Sequence, residues 1–285
     1  MSIAQAHPPE TGPANFAFLN ADELAAEAKV VRRNVLTTIQ AAGIGHVGGD
    51  MSVTDILVTL FFGVMKLDPA HPDMVDRDRF ILSKGHCAAS LYSVLARRGF
   101  IEESALATFA KPLSALNGHP NRRKVPGVEA NTGPLGHGLP IAVGTAIGAG
   151  IRGLDYRAFV VTGDGELQEG SNWEAAMYAG HRKLSNLTAI VDRNRLQQGA
   201  RTADTNELSR LGDKFDAFGW EVREIDGHDY TQLLDALGRP GEGKPVFVLA
   251  NTTKGRGVSF MEDRVEWHHK VPSDAEVVEA LKELA

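Results

Sequence analysis

The sequence predicts an α/β fold: one doubly wound, mainly parallel sheet with helices on both faces. Three observations carry that expectation. Helical and strand-like segments alternate along the chain. Residues Ala158 to Val191 spell a strand, a helix and a second strand, which together form one right-handed crossover unit. The strands are unbroken apolar runs, such as Ala158-Phe159-Val160-Val161-Thr162, the pattern of strands buried on both faces.

Taken in order, residues 1–20 hold three prolines and neither a basic nor an apolar block. They read as an N-terminal arm rather than a secretory leader, and the domain is expected over 21–285. Ala21 to Ala42 sets Leu24, Ala28, Val31, Val35 and Ile39 near helical spacing. A glycine-rich loop follows at 43–49, and Ser52-Val53-Thr54-Asp55 reads as a capping box that restarts a helix towards Val64. Arg79 to Ser83 is a short strand, Lys84-Gly85-His86 turns out of it, and Ala88 to Arg98 is helical. Lys111 to Gly138 is a polar stretch with four prolines; loops longer than about 15 residues inside a domain usually carry function. Ala142 to Gly150 is a helix of small residues. The central strand is followed by a helix from Gly170 to Lys183 and a strand from Leu187 to Val191. Trp220 to Ile225 and Pro245 to Ala250 are further strands around a helix at Tyr230 to Leu237. Thr252 to Val271 is a second long loop, and Asp274 to Leu284 closes the chain as a helix.

Composition narrows the function. The chain has 285 residues and a formal charge of −6, which argues against a nucleic-acid or anionic-membrane surface. Its one cysteine, Cys87, excludes an internal disulfide and fits a reducing compartment, so a soluble, cytoplasmic protein is expected. No apolar run is expected to reach the roughly 18 residues of a membrane span. Neither a G-x-S-x-G elbow nor an H-E-x-x-H zinc helix is present, and the adjacency of His86 and Cys87 does not by itself make a nucleophile and base.

The chemistry concentrates at the two ends of the crossover unit. Gly163-Asp164-Gly165 follows the first strand and Asp192-Arg193-Asn194 the second, so Asp164 and Asn194 fall beyond the carboxyl ends of parallel strands, where α/β folds bind ligands. A carboxylate and an amide oxygen are hard ligands suited to magnesium or calcium, and magnesium completes its shell from phosphate and water. Gly165 allows a phosphate close to the backbone. The turn at Gln197-Gln198-Gly199 offers a carbonyl, that of Leu196, to the same ion. These residues read as a cradle for a metal-bound diphosphate.

The GDG…N pattern resembles the thiamine-diphosphate motif, and GDGELQEG at 163–170 is similar to the transketolases. The resemblance implies a thiamine-diphosphate-binding fold and magnesium (calcium or manganese in its place) held by Asp164, Asn194 and the Leu196 carbonyl. It sets Gly165 on the diphosphate and Glu169 at a twofold interface as a relay. DRDRFILSKGH resembles the family segment whose histidine contacts the diphosphate, here His86. NGHP resembles the segment of an active-site histidine, here His119, and GPLGHG (Gly133, Pro134, Leu135) the loop that holds the aminopyrimidine. His137 receives no role, because many family members carry glutamine there. WHHK is similar to a WHGK element and points to His268 as a cofactor and substrate ligand, with His269 an alternative one residue on. His46, flanked by glycines 43, 45, 48 and 49, is a candidate donor to a substrate oxygen. The remaining histidines, His7, His71, His181 and His228, read as surface or core residues.

The family transfers a two-carbon ketol unit between sugar phosphates. A second domain there carries a glutamate on the aminopyrimidine ring and normally continues the same chain. The resemblance therefore implies the N-terminal, diphosphate-binding subunit of a split transketolase, active as a heterotetramer with a separate C-terminal subunit. The alternatives are a split ketol-transfer enzyme for an unusual sugar, a 2-oxo-acid dehydrogenase component, or a non-enzymatic pseudo-subunit, which intact Asp164 and Asn194 disfavour.

Overall fold

A computed structural model describes residues 18–285. The expected arm and His7 therefore fall outside the described residues, save for the last three positions of the arm. The chain opens with two packed helices, α1 (Ala21–Ala42) and α2 (Val47–Thr59), the latter running on through a π-helical turn at Leu60–Val64. Asn20 caps α1 in a capping box with Glu23, and Gly43, at φ 68°, ends it. Strand β1 (Arg79–Leu82) leads to α3 (Ala88–Arg98); after the long loop come α4 (Gly138–Arg152), β2 (Ala158–Gly163), α5 (Gly170–His181) and β3 (Leu187–Arg193). A small ribbon of β4 (Leu196–Gln197) and β5 (Ala200–Arg201) precedes two short helices, α6 (Thr202–Asn206) and α7 (Leu211–Ala217). Then β6 (Glu221–Asp226), α8 (Tyr230–Gly238), β7 (Val246–Asn251) and α9 (Asp274–Glu283) complete the order.

Five strands form one wholly parallel sheet in the order β1-β2-β3-β7-β6. Helices cover both faces, as the unbroken apolar strands require. On one face Phe80, Leu82, Phe159, Val161, Ile190 and Val248 pack with α1, α2, α3 and α8. On the other Ile81, Val160, Ala189, Val191, Phe247 and Leu249 pack with α4, α5 and α7, where Phe215 stacks on Phe247 at 3.6 Å between ring centroids. The carboxyl ends of β1, β2, β3 and β7 all point to one edge.

Two expectations fail at α2. The helix begins at Val47, five residues before the expected Ser52. Gly48 and Gly49 lie inside its first turn because a side chain would not fit: a Cβ there would lie 2.9 Å from the Trp267 carbonyl or 3.0 Å from Cys87 Sγ. Ser52 caps nothing; its hydroxyl donates to Asp192 Oδ2 at 2.7 Å. The expectation of no span-length apolar run also fails, since Val47–Val64 reaches 18 residues at a mean hydropathy of 1.4. That stretch is 83% buried against the sheet and its neighbours, as a core helix is. Helix α4 starts four residues earlier than the small-residue run indicated. The ribbon, α6 and α7 have no counterpart among the elements the sequence predicts.

Candidate active site

The strand tips meet in a cavity of about 240 Å³. Its wall includes His46, His86, His119, Gly133, Leu135, Asp164, Gly165, Asn194, Leu196 and His268, residues drawn from six separate segments. Pro134 is exposed and outside this wall. Glu169 is likewise exposed and outside this wall, at the N-cap of α5 beside Gly136. Between the two histidines that the sequence left open, His268 lines the cavity, whereas His269 stands exposed with Nε2 3.3 Å from Gln198 Oε1.

The floor is built from the two tips. Asp164 follows β2 and starts a 3-10 turn, so its Oδ1 accepts the Gly165 N–H at 2.9 Å. Its Oδ2 accepts the Arg195 N–H at 2.7 Å, made possible by a left-handed Arg195 at φ 65°. Asn194 directly follows β3, with Oδ1 accepting the Leu196 N–H at 3.1 Å and Nδ2 donating to Ser52 Oγ at 3.1 Å. Burial, then repulsion from Asp192, raises Asp164 from 3.8 to about 6. A buried carboxylate paired only with backbone N–H groups is costly. A divalent cation held by Asp164, the Asn194 amide oxygen and the Leu196 carbonyl would remove that cost, and three oxygen donors suit magnesium. The donor set fits the metal.

Two lysines to which the sequence assigns no role complete the floor. Lys84, two residues past β1, forms a fully buried ion pair with Asp192, which also accepts from the Ser52 and Thr252 hydroxyls. Burial works against the Lys84 ammonium, but Asp192 outweighs it and holds the group above its usual range. Lys254, after β7, reaches His268 Nδ1 at 2.7 Å and the Leu196 carbonyl at 3.4 Å. Burial, then Lys84, lowers it to about 8. The available signal was position: each lysine lies within three residues of a strand's carboxyl end. Glu166 was missed as well. Buried and raised above its usual range by that burial, it accepts from Ser83 Oγ, the Gly136 N–H at 2.9 Å and the Gly163 N–H at 3.0 Å. It thereby staples the 133–138 loop to both strand tips.

The roof is imidazole. His46 stands 5.1 Å from His86 and 5.4 Å from His268 between ring centroids. Burial, followed by neighbouring His269 and His119, lowers His46 to about 4; burial, then Lys254, lowers His268 to about 3. Burial, then Lys84, also lowers His86. At neutral pH the roof is a set of neutral rings, able to donate to and accept from hydroxyls without permanent charge. Gly133 brings the 133–138 loop against His119, to which a Cβ would come within 3.3 Å.

Residues 24–285 match the family model described as the transketolase thiamine diphosphate binding domain. The chain is 49% identical over 269 residues to an apulose-4-phosphate transketolase subunit from Actinobacillus succinogenes, covering 93% of this chain and 97% of that protein. It is 40% identical to the 6-deoxy-6-sulfo-D-fructose transketolase subunit SqwG of a Clostridium species, covering 87% and 90%. Among solved structures, the transketolase of Campylobacter jejuni superposes with a TM-score of 0.88 at 31% identity, over 93% of this chain and 43% of that one. The chain thus spans under half the length of that single-chain relative.

Proposed function

The chain belongs to the transketolase family, and we propose that it is the diphosphate-binding subunit of a two-chain transketolase that moves a two-carbon ketol unit between sugar phosphates in the cytoplasm. The observation that carries this reading is the floor of the cavity. Asp164, Asn194 and the Leu196 carbonyl converge over Gly165 at adjacent strand tips, with two lysines behind them and neutral histidines above. The names of the relatives at 49% and 40% identity, both subunits of transketolases for uncommon sugars, favour the same class.

In this reading Asp164, Asn194 and Leu196 hold a magnesium ion, Lys84 and Lys254 balance the charge of the diphosphate, and neutral His86 donates a hydrogen bond to it. When bound, thiamine diphosphate supplies the carbon centre that accepts and releases the ketol unit. Glu166 keeps the 133–138 loop against the strand tips, so the aminopyrimidine side of the site is shaped before the cofactor arrives. His46, His119 and His268 contact sugar hydroxyls and hold or pass protons there.

A partner subunit has a surface ready for it. On α4, Ile141, Gly144, Gly148 and Ile151 form one stripe, and Met177 and Tyr178 of α5 continue it; the four large side chains are between 40% and 81% exposed. A Cβ at Gly144 would meet nothing within 4 Å, so a second helix can approach closely. Leu135, three residues before α4, lines the cavity, and Glu169 caps α5 beside Gly136, so a partner seated on these two helices lies, in this reading, beside the aminopyrimidine loop. The test is ketol transfer by this chain purified with the C-terminal subunit, with phosphorylated and sulfonated ketoses as donors. Turnover by the pair and none by either chain alone is expected; full turnover by this chain alone overturns the two-chain reading.

A further inference from the structure

His228 lies outside the cavity, and the sequence assigns it nothing. Its ring is nonetheless fully engaged. Nδ1 stands 2.6 Å from Asp55 Oδ2, and Nε2 accepts the Thr253 backbone N–H at 2.8 Å. Nε2 must carry a lone pair to accept an amide, so Nδ1 carries the proton and donates to Asp55. Asp55 belongs to α2 and also takes the Arg32 guanidinium, at 2.9 and 2.7 Å, and the Tyr230 hydroxyl. Asp226 Oδ1 accepts the backbone N–H of His228 at 2.9 Å, which fixes the residue from its own strand end.

Thr253 is the neighbour of Lys254. On the other side of Lys254, the Gly255 N–H donates to the Gly48 carbonyl of α2 at 2.9 Å. The lysine therefore rides on a short span clamped at both flanks to one helix, directly at Gly255 and through His228 and Asp55 at Thr253. That helix is preceded by His46, so the clamp ties floor to roof. Lys254 needs it: a flexible chain holding two acceptors at 2.7 and 3.4 Å loses both if its backbone drifts.

We propose that His228 is a positioning residue, whose Nε2 holds the Thr253 amide and thereby keeps the Lys254 side chain against His268 and the Leu196 carbonyl. The proposal rests on the cavity being the cofactor site, and the two are separable by experiment. His228→Asn keeps a donor where Nδ1 stands and loses the acceptor for Thr253. His228→Gln extends an acceptor to the place of Nε2 and gives up the donor to Asp55. With the partner subunit present, three quantities are measured on both variants and on His228→Ala: hydrogen exchange of the 250–258 segment, melting temperature, and magnesium-dependent thiamine diphosphate affinity by calorimetry.

The expected result is a crossed pattern. His228→Asn melts only slightly lower but loses exchange protection at 250–258 and binds the cofactor about tenfold more weakly, the cost of one hydrogen bond to a site group. His228→Gln melts lower yet holds its cofactor affinity within about threefold. At saturating cofactor, kcat recovers in both. Exchange and affinity that simply follow melting temperature through all three variants would make His228 a structural residue and overturn the proposal. Absence of cofactor binding by the unmutated enzyme would instead refute the functional reading, while the exchange pattern still decides the clamp.

Discussion

Replacing Asp164 by Asn in the metal-free chain removes a carboxylate that the fold buries without a cation. Only 6% of Asp164 is exposed, and burial with Asp192 nearby raises it from 3.8 to about 6. The sign follows from linkage: a raised carboxylate favours folding while protonated. Its stability contribution is intact below 3.8 and is lost as pH rises towards 6. A shift of about two units costs the ionised fold about 3 kcal/mol at neutral pH. Asn keeps one acceptor for the two backbone N–H groups and forfeits the other, at about 1 kcal/mol. The net gain is about 2 kcal/mol, or a rise of about 4–8 °C in melting temperature for a domain of this size. The assay is thermal unfolding by circular dichroism in chelator at pH 7.5 and pH 4, repeated at pH 7.5 with magnesium and thiamine diphosphate. The variant should melt above the parent at pH 7.5 and at or below it at pH 4. The added stability that the cofactor gives the parent should be absent from the variant. A variant that melts lower at pH 7.5 and is still stabilised by the cofactor would refute both the electrostatic argument and the metal assignment.

Further outcomes are expected elsewhere. Gly165→Ala places a Cβ 3.0 Å from Gln197 Cβ and Oε1 and should cut cofactor affinity while leaving the melting temperature of the free chain nearly unchanged. Because Lys254 titrates near 8 through burial and Lys84, affinity for the magnesium cofactor should fall as pH rises through that value, and Lys254→Arg, titrated by calorimetry, should keep it flat. His46→Ala should cost about 1–3 kcal/mol in sugar kcat/KM with cofactor affinity little changed, a split that steady-state kinetics at saturating cofactor resolves. Ile151→Asp should abolish co-elution with the partner subunit on size-exclusion chromatography without altering the circular dichroism of the chain alone.

Legibility in the sequence followed the range of the interactions. The crossover unit from Ala158 to Asn194 was plain, because buried parallel strands write themselves as local apolar runs and a glycine-bracketed aspartate marks a strand tip. The start of α2 was not, since what permits Gly48 and Gly49 inside a helix is the packing of Trp267, Lys254 and Cys87 from distant segments. Ser52 had the spacing of a cap but serves an aspartate 140 positions away. Lys84 reads only as the neighbour of His86, for nothing local reveals that Asp192, 108 positions on, makes its burial tolerable. His228 shows the same blindness from the other side: its two partners lie 173 and 25 positions away.

The strand order carries a consequence for how this chain is made. β7 is the last strand synthesised, yet it sits between β3 and β6 and pairs with each through six residues. Until Val246–Asn251 leaves the ribosome, β6 has no strand to join and β3 presents a bare parallel edge. Parallel pairings of this separation form slowly, because loop closure precedes any reward. From the completion of β3 at Arg193 until Val246 is made, the nascent chain therefore carries an open apolar sheet edge, and a product truncated before Val246 keeps that edge permanently. The sheet closes by insertion at its centre, so the floor of the cavity, which needs β3 and β7 side by side, is among the last features of the molecule to exist.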